Sequence, residues 1–275
     1  MYNFKQVVPT EEKIIEYSKF LSSIYLNTDK FSYEFLKWQY LDNPDGSVIG
    51  FDAYYNDVLA AHYVTIPVKS YVNGKLELGL LSLNTATHED HRGKRLFTKL
   101  ANLTYDYAKN NKFKFVCGVA NSNSVHGFIK YLGFISKPLI VKVGLGKVNY
   151  KSNKINYSFK REWTEKNLKW RLSNPFAKYR VNNGEINYFP KFGLKAILGQ
   201  VKSEFLVEKT RRQYKFQLLK MYVGLDSSID WSKSFYFEVP NRLKSSPLIF
   251  IFKSLESTKI DLDKVKFQII DFDGY

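Results

Sequence analysis

The chain has 275 residues, 44% apolar and 25% charged, which suffices to bury a core and exceeds one ordinary domain. A single cysteine, Cys117, excludes a disulfide framework and a cysteine-rich zinc site, and the four histidines show no His-x-x-x-His spacing, so no metal is expected. The net charge of +16 attracts anions such as nucleic acid, phosphorylated cofactors or nucleotide-sugars without choosing among them.

Apolar residues Ile14, Ile15, Tyr17, Phe20, Leu21 and Ile24 recur at helical spacing and predict a helix from Glu11 to Leu26. A second, short helix is expected at Ser32–Leu41, before the turn Asn43-Pro44-Asp45-Gly46. Strand-like runs Gly50–Tyr55 and Val58–Pro67 flank Asn56-Asp57, and Val68–Val72 and Lys75–Ala86 flank Asn73-Gly74, two hairpin signals. Phe97–Asn110 reads as a helix with Leu100, Leu103 and Tyr107 on one face, followed by a near-continuous apolar strand, Phe113–Ala120, suited to a sheet interior. A short helix over Ser124–Tyr131 and a strand over Ile135–Val143 complete the first half.

The segment Leu36-Lys37-Trp38 … Asn43-Pro44 has an echo in Leu168-Lys169-Trp170 … Asn174-Pro175. Both follow polar, helix-prone stretches, and both precede strand-like runs, here Tyr179–Val181 and Gly193–Val201. The echo suggests a duplication, dividing the chain into 1–147 and a diverged copy, 148–275. The copy's further strands would be Gln213–Val223, Ser234–Val239, Pro247–Lys253 and Val265–Phe272. Charge is unevenly divided, with 18 basic against 13 acidic residues in 1–147 and 24 against 13 in 148–275.

The chemically informative stretch is Leu80–Phe97, LLSLNTATHEDHRGKRLF, in which a strand ends near Thr87, a polar loop follows and a helix opens near Leu96. Such a turn leaves backbone N–H groups unpaired at a helix N-terminus, where the macrodipole also favours negative charge. Arg92, Lys94 and Arg95 add three cations there, an arrangement suited to pyrophosphate.

The run Thr87-His88-Glu89-Asp90-His91-Arg92-Gly93-Lys94-Arg95-Leu96-Phe97 resembles the acyl-CoA loop of the GNAT acyltransferase superfamily. The order strand Phe113–Ala120, Asn121-Ser122-Asn123-Ser124, helix and Gly133-Phe134 is similar to that family's second landmark. The Trp38 … Asn43-Pro44-Asp45-Gly46 segment resembles members found beside polysaccharide and aminosugar genes. The resemblance covers about residues 1–145. It implies an α/β (α+β) GNAT fold, with a mixed, mostly antiparallel sheet flanked by helices and duplicated as tandem GNAT-like halves. It implies that acetyl-CoA or another acyl-CoA is the co-substrate and that an amine attacks the thioester directly in a ternary complex. Thr85, Ala86 and Thr87 would splay from the neighbouring strand to admit pantetheine, and the backbone of Arg92, Gly93, Lys94, Arg95, Leu96 and Phe97 would hold the pyrophosphate. Asn121 and Ser124 would serve the pantetheine side, and Trp38 and Tyr40 would line the acceptor cleft between the halves.

Two positions depart from the pattern. Arg95 stands where the loop's first glycine is usual and Phe97 at its second small position; the usual tyrosine acid before Gly133-Phe134 is Ile129. His126, one turn earlier, is the substitute candidate. For a base, Glu89, with His88 and Asp90, is either a solvated loop residue or a participant, and His62 is either a satisfied sheet histidine or an acceptor-side base. Cys117 reads as core. The function expected is N-acetyl transfer to a small amine, an amino sugar or nucleotide-linked amino sugar. The rivals are a catalytically inactive scaffold or nucleic-acid-binding module, with Glu208–Lys215 as its basic patch, and an aminoacyl-tRNA-dependent transferase. The N-terminus MYNFKQVVPTEEK lacks an apolar signal core and no run of the sequence is long and apolar enough to cross a bilayer, so a cytoplasmic protein is expected.

Overall fold

The computed structural model describes residues 1–25, 30–153, 155–182, 184–188, 194–201, 218–244 and 246–272. In chain order the first half comprises β1 (Tyr2–Gln6), α1 (Glu11–Tyr25), α2 (Tyr33–Tyr40), β2 (Ile49–Tyr55), β3 (Val58–Val72), β4 (Lys75–Thr87), α3 (Leu96–Asn110), β5 (Phe115–Ala120), α4 (Val125–Leu132), β6 (Ile135–Pro138) and β7 (Ile140–Leu145). Then follow β8 (Phe159–Arg161), α5 (Glu165–Leu172), β9 (Arg180–Asn182), β10 (Glu185–Tyr188), β11 (Lys195–Gln200), β12 (Leu219–Asp226), β13 (Tyr236–Glu238), β14 (Ile249–Ser254) and β15 (Val265–Gln268). Among the described residues the strands form one sheet, with β1–β2–β3–β4 antiparallel and β4 joined to β5 in parallel. This is the mixed, mostly antiparallel sheet flanked by helices that the sequence leads one to expect.

Three strands escape the sequence reading: β1, β8 and β10, which are only three to five residues long. Two others merge. The runs ending at Pro67 and beginning at Val68 are one 15-residue strand, β3. Proline lacks the N–H that a ladder needs. Pro67 is tolerated because β3 is paired on that edge only elsewhere, with β2 as far as Thr65 and with β8 from Ser70. The Asn43-Pro44 turn fills the interval, and Asn43 Nδ2 donates to the Pro67 carbonyl at 3.0 Å. The expected strand Ile135–Val143 instead divides at buried Leu139 into β6 and β7, which join different parts of the sheet.

That division sets the architecture. β14, from the second half, lies between β5 and β6 of the first. β7, from the first half, lies between β12 and β13 of the second. The two Trp-bearing helices meet with the same reciprocity. Trp38 and Trp170 stack with centroids 4.9 Å apart and planes 18° apart. Each indole N–H donates to the other's carbonyl, Trp38 Nε1 to Trp170 O at 2.8 Å and Trp170 Nε1 to Trp38 O at 2.9 Å. Both helices begin with a hydroxyl cap, Ser32 accepting from the Phe35 amide and Thr164 from the Asn167 amide, each cap contributing about 1 kcal/mol.

Helix α3 buries Leu96, Leu100, Ala101, Thr104, Tyr105 and Ala108, one face of the helix, against the sheet. Helices α1 and α2 pack together on the core that also receives Leu81 and Cys117. Cys117 is buried there, and burial pushes its thiol pKa up, as its reading as core requires.

Candidate acyl-transfer site

β4 and β5 pair only at Leu80–Val116, Leu81–Cys117 and Ser82–Gly118, and then part. A bulge causes the divergence. On β4 two residues, Asn84 and Thr85, oppose the single Tyr63 of β3, because Val64 pairs with Leu83 but His62 with Ala86. Asn84 adopts the left-handed conformation, φ +44°, which asparagine tolerates better than most residues. Beyond the bulge Ala86 and Thr87 remain paired to β3 on one edge, while the edge facing β5 is open. The carbonyls of Thr85 and Thr87 accept from side chains instead, from the Tyr25 hydroxyl at 2.5 Å and from Arg92 Nε at 3.4 Å.

The loop after β4 makes a 3₁₀ turn at Glu89–His91 and reaches α3 through Gly93 (φ +75°) and Arg95 (φ +57°). Arg95 therefore holds the left-handed backbone that suits the glycine usual at its place. Its side chain is exposed, like those of Arg92 and Lys94. The first intrahelical amide of α3 is Lys99, bonded to the Arg95 carbonyl, so Leu96, Phe97 and Thr98 open the helix with their N–H groups unclaimed by any earlier turn. Phe97 turns away from the loop and packs edge-on against Phe128 and Tyr63, with centroids 5.1 and 5.9 Å away. Its bulk thus sits between α3 and α4.

Beside the opening, on the α1–α2 side, lies a cavity of about 380 Å³. Its walls are Tyr25, Phe31 and Phe35, the β4 residues Leu81 to Asn84, Gln39, Lys30, Val119 and, from the second half, Phe272. Trp38 and Tyr40 do not line it. Both are buried behind the wall, Trp38 in the Trp170 stack and Tyr40 against His62. Their helix neighbours Phe35 and Gln39 face the cavity instead.

The candidate acids and bases are dispersed. His62 is 0% exposed, with Nδ1 2.6 Å from Asp52 Oδ1 and Nε2 2.9 Å from the Tyr40 hydroxyl, the satisfied sheet histidine of the two readings. Glu89 lies on the exposed turn. His126 is exposed on α4, edge-on to Tyr131 at 5.7 Å, and Ile129 also faces outward. Asn121 accepts from the amides of Asn123 and Ser124 and from the Ser124 hydroxyl, at 3.0–3.1 Å. Its carbonyl oxygen and Ser124 thereby shape the turn into α4. Sequence reasoning missed Gln39, Asp52 and Asn84. A polar Asn within the run Ser82-Leu83-Asn84-Thr85 was the one available sign of a bulge. The basic patch Glu208–Lys215 lies outside the described residues. Among the described residues no group of His, Cys, Asp and Glu suits a metal ion, and no helix is long and apolar enough to cross a membrane.

Residues 8–134 match the family model described as an acetyltransferase (GNAT) domain. Over this part the chain is similar to a GNAT acetyltransferase domain. Transfer of an acetyl group is the activity that goes with it. The whole chain is similar in fold to a conserved Enterococcus faecalis protein, named a probable N-acyltransferase, at 10% identity and a TM-score of 0.60, covering 93% of this chain and 73% of that one. It is also similar to a GCN5-related N-acetyltransferase from Anabaena variabilis, at 12% identity and a TM-score of 0.57, covering 92% and 73%. No curated protein matches the sequence. In the second half β11 and β12 also pair in parallel, over Lys195–Ile197, before parting. There the C-terminal segment closes the opening: Gln268 Oε1 accepts from the Gln200 amide at 3.1 Å, and a Cβ on Gly199 would lie 2.6 Å from Ile270 Cγ2.

Proposed function

We propose that the protein transfers the acyl group of an acyl-CoA, acetyl-CoA in the first instance, to the amine of a small acceptor of the amino-sugar class, free or nucleotide-linked. The observation that carries this reading is the parting of β4 from β5 after Ser82 and Gly118, directly ahead of a basic loop and the N-terminus of α3. Acyl-CoA supplies an activated thioester and a polyanionic handle. Thr85–Thr87 offer an open strand edge to a pantetheine amide. The amides of Gly93–Phe97 offer donors to the pyrophosphate, with Arg92, Lys94 and Arg95 adding charge. Asn121 and Ser124 flank the opening from the β5 side.

The cavity beside the opening suits the acceptor. Its volume of about 380 Å³ is that of a small-molecule site. Aromatic rings from Phe31, Phe35 and Phe272 can stack on the C–H face of a sugar, and Gln39, Ser82 and Asn84 can bond its hydroxyl and amine groups. The surplus of 24 basic over 13 acidic residues in 148–275 supports an anionic acceptor. The described residues of the wall include no carboxylate or imidazole, so the chain works chiefly by positioning the amine, whose proton passes to water. We also infer that the chain is two diverged copies, 1–147 and 148–275, of which the first keeps the open acyl-CoA site. Support comes from the reciprocal Trp38–Trp170 pair and the exchange of β7 and β14.

The test is thermal unfolding with and without millimolar acetyl-CoA and CoA. A ligand at a hundredfold excess over its dissociation constant stabilises the native state by about 2.7 kcal/mol. An upward shift with both, followed by thiol release on a panel of amines led by glucosamine and amino-sugar nucleotides, is expected. No shift with either compound refutes the reading.

A further inference from the structure

Behind the cavity wall a chain of hydrogen bonds runs from α1 through the sheet to the β4 bulge. The Tyr17 hydroxyl donates to Asp52 Oδ2 at 2.7 Å, and Asp52 Oδ1 lies 2.6 Å from His62 Nδ1. His62 Nε2 lies 2.9 Å from the Tyr40 hydroxyl, to which Asn84 Nδ2 donates at 3.0 Å. Asn84 Nδ2 also donates to Gln39 Oε1 at 2.6 Å. Tyr17, Tyr40, Asp52 and His62 are all at most 1% exposed, whereas Asn84 is half-buried and lines the cavity.

With the Asn84 amide nitrogen donating to both of its neighbours, the direction of each further hydrogen bond in this chain follows. An ionised Asp52 can only accept, so His62 Nδ1 carries a hydrogen. Both amide hydrogens of Asn84 are committed, one to Gln39 and one to Tyr40. The Tyr40 oxygen therefore accepts from Asn84, and its own hydrogen needs an acceptor. In a fully buried setting that acceptor is His62 Nε2, since an unmet donor costs about 1–3 kcal/mol. His62 is then neutral and in its Nδ1–H form. A hydrogen on Nε2 would leave the Tyr40 hydrogen without an acceptor, because an amide nitrogen offers none. Asn84 is consequently held with its carbonyl oxygen turned away from both partners, and no described residue donates to that oxygen.

We propose that Asp52, His62 and Tyr40 are positioning residues that lock Asn84 as a hydrogen-bond acceptor, presenting its Oδ1 to the N–H of the incoming amine. The inference rests on the acyl-transfer reading for the identity of the ligand, but the direction of the chain stands independently of it. Asp52→Asn tests both with little change of shape. An amide at position 52 donates to His62 Nδ1, moving the ring proton to Nε2. Tyr40 then accepts from His62 and donates to Asn84, which turns its oxygen inward and its NH2 group to the cavity, Gln39 turning its own amide so that its N–H faces that oxygen. The wall group changes from acceptor to donor.

The experiment pairs ¹⁵N NMR of the His62 ring with steady-state kinetics on acetyl-CoA and glucosamine, or the best-used amine of the panel. The wild type is expected to show the Nδ1–H form and Asp52→Asn the Nε2–H form. Asp52→Asn is expected to lower kcat/KM for the amine at least tenfold, with KM for acetyl-CoA within twofold of wild type; a merely structural role would lower the melting temperature and spare this split. Tyr40→Phe, which removes the link to Asn84, should show the same split. An Nε2–H ring in the wild type overturns the chain, and an amine kcat/KM within twofold of wild type in Asp52→Asn overturns the positioning role. Absence of any acetyl-CoA shift and of amine turnover in the wild type would instead refute the acyl-transfer reading, and with it the ligand assigned to Asn84, while the ring proton still decides the chain.

Discussion

The loop ahead of α3 allows opposite predictions for two positions only two residues apart. Gly93 and Arg95 both have left-handed backbones, φ +75° and +57°. A side chain there costs roughly 1–2 kcal/mol through its Cβ. Around Gly93 there is open space, with nothing within 4 Å of an added Cβ, so Gly93→Ala probes backbone strain without a clash. Strain costs about 1–2 kcal/mol and the lost glycine entropy of the unfolded chain offsets about 0.5–1, so the net destabilisation is up to about 1.5 kcal/mol. Arg95 already bears that cost, and among the described residues its exposed side chain makes no hydrogen bond or ion pair. Arg95→Gly relieves the strain but returns about 0.5–1 kcal/mol of backbone entropy to the unfolded chain. The net is a gain of up to about 1.5 kcal/mol. Each kcal/mol moves the melting temperature of a chain this size by about 2–4 °C. Differential scanning calorimetry should therefore rank Arg95→Gly at or above wild type and Gly93→Ala below it. The loss of one exposed charge should weaken acetyl-CoA binding by only about 0.3–1 kcal/mol, and less at high salt. A lower melting temperature for Arg95→Gly, or an unchanged one for Gly93→Ala, would refute the backbone argument. A more than tenfold loss of acetyl-CoA affinity in Arg95→Gly would make the Arg95 side chain a direct ligand.

Further expectations concern the two halves and the buried tyrosines. Trp38→Phe leaves the Trp170 carbonyl without its buried donor and should destabilise by about 1–3 kcal/mol, and Trp170→Phe likewise. A denaturant double-mutant cycle should give a coupling of at least about 0.5 kcal/mol, and strict additivity would deny that the pair acts as a unit. Gly199→Val should destabilise by more than about 2 kcal/mol, because Ile270 occupies the space the side chain needs; a stability equal to wild type would mean that the second opening is not closed by the C-terminal segment. Burial raises the Tyr63 phenol to about 12, and Tyr17, Tyr40, Tyr105 and Tyr222 upward as well. The unfolded chain ionises these groups first, near pH 10, so this stability is complete below pH 10 and is lost as pH rises through the folded values. Tyrosinate absorbance from the buried set should appear together with loss of circular dichroism. A single titration of all 20 tyrosines near pH 10 in the folded protein would contradict it.

Much of the first half was legible because its signals are local. The periodicity of α1 and α3, the Asn73-Gly74 hairpin and the apolar run of β5 depend on neighbours a few residues away. The loop Arg92–Phe97 could likewise be found from charge and from its place between strand and helix. The Leu-Lys-Trp echo pointed to two helices of one kind, and they meet face to face through Trp38 and Trp170.

What the sequence could not decide depends on partners far along the chain. Pro67 looks like the end of a strand until the Asn43 turn is seen to cover the interval where β3 has no neighbour. β6 and β7 read as one strand because only the sheet reveals that Leu139 carries the chain from one half to the other. Trp38 and Tyr40 were suggested for the acceptor wall, but helix phase turns them to the core and presents Phe35 and Gln39. Asn84, Tyr40, His62 and Asp52 come from four separate elements, and none is conspicuous alone. Periodicity fixes which residues face inward. Only the bulge in β4, and the hydrogen-bond partners that burial forces on each polar group, determine which of them meet at the opening between β4 and β5.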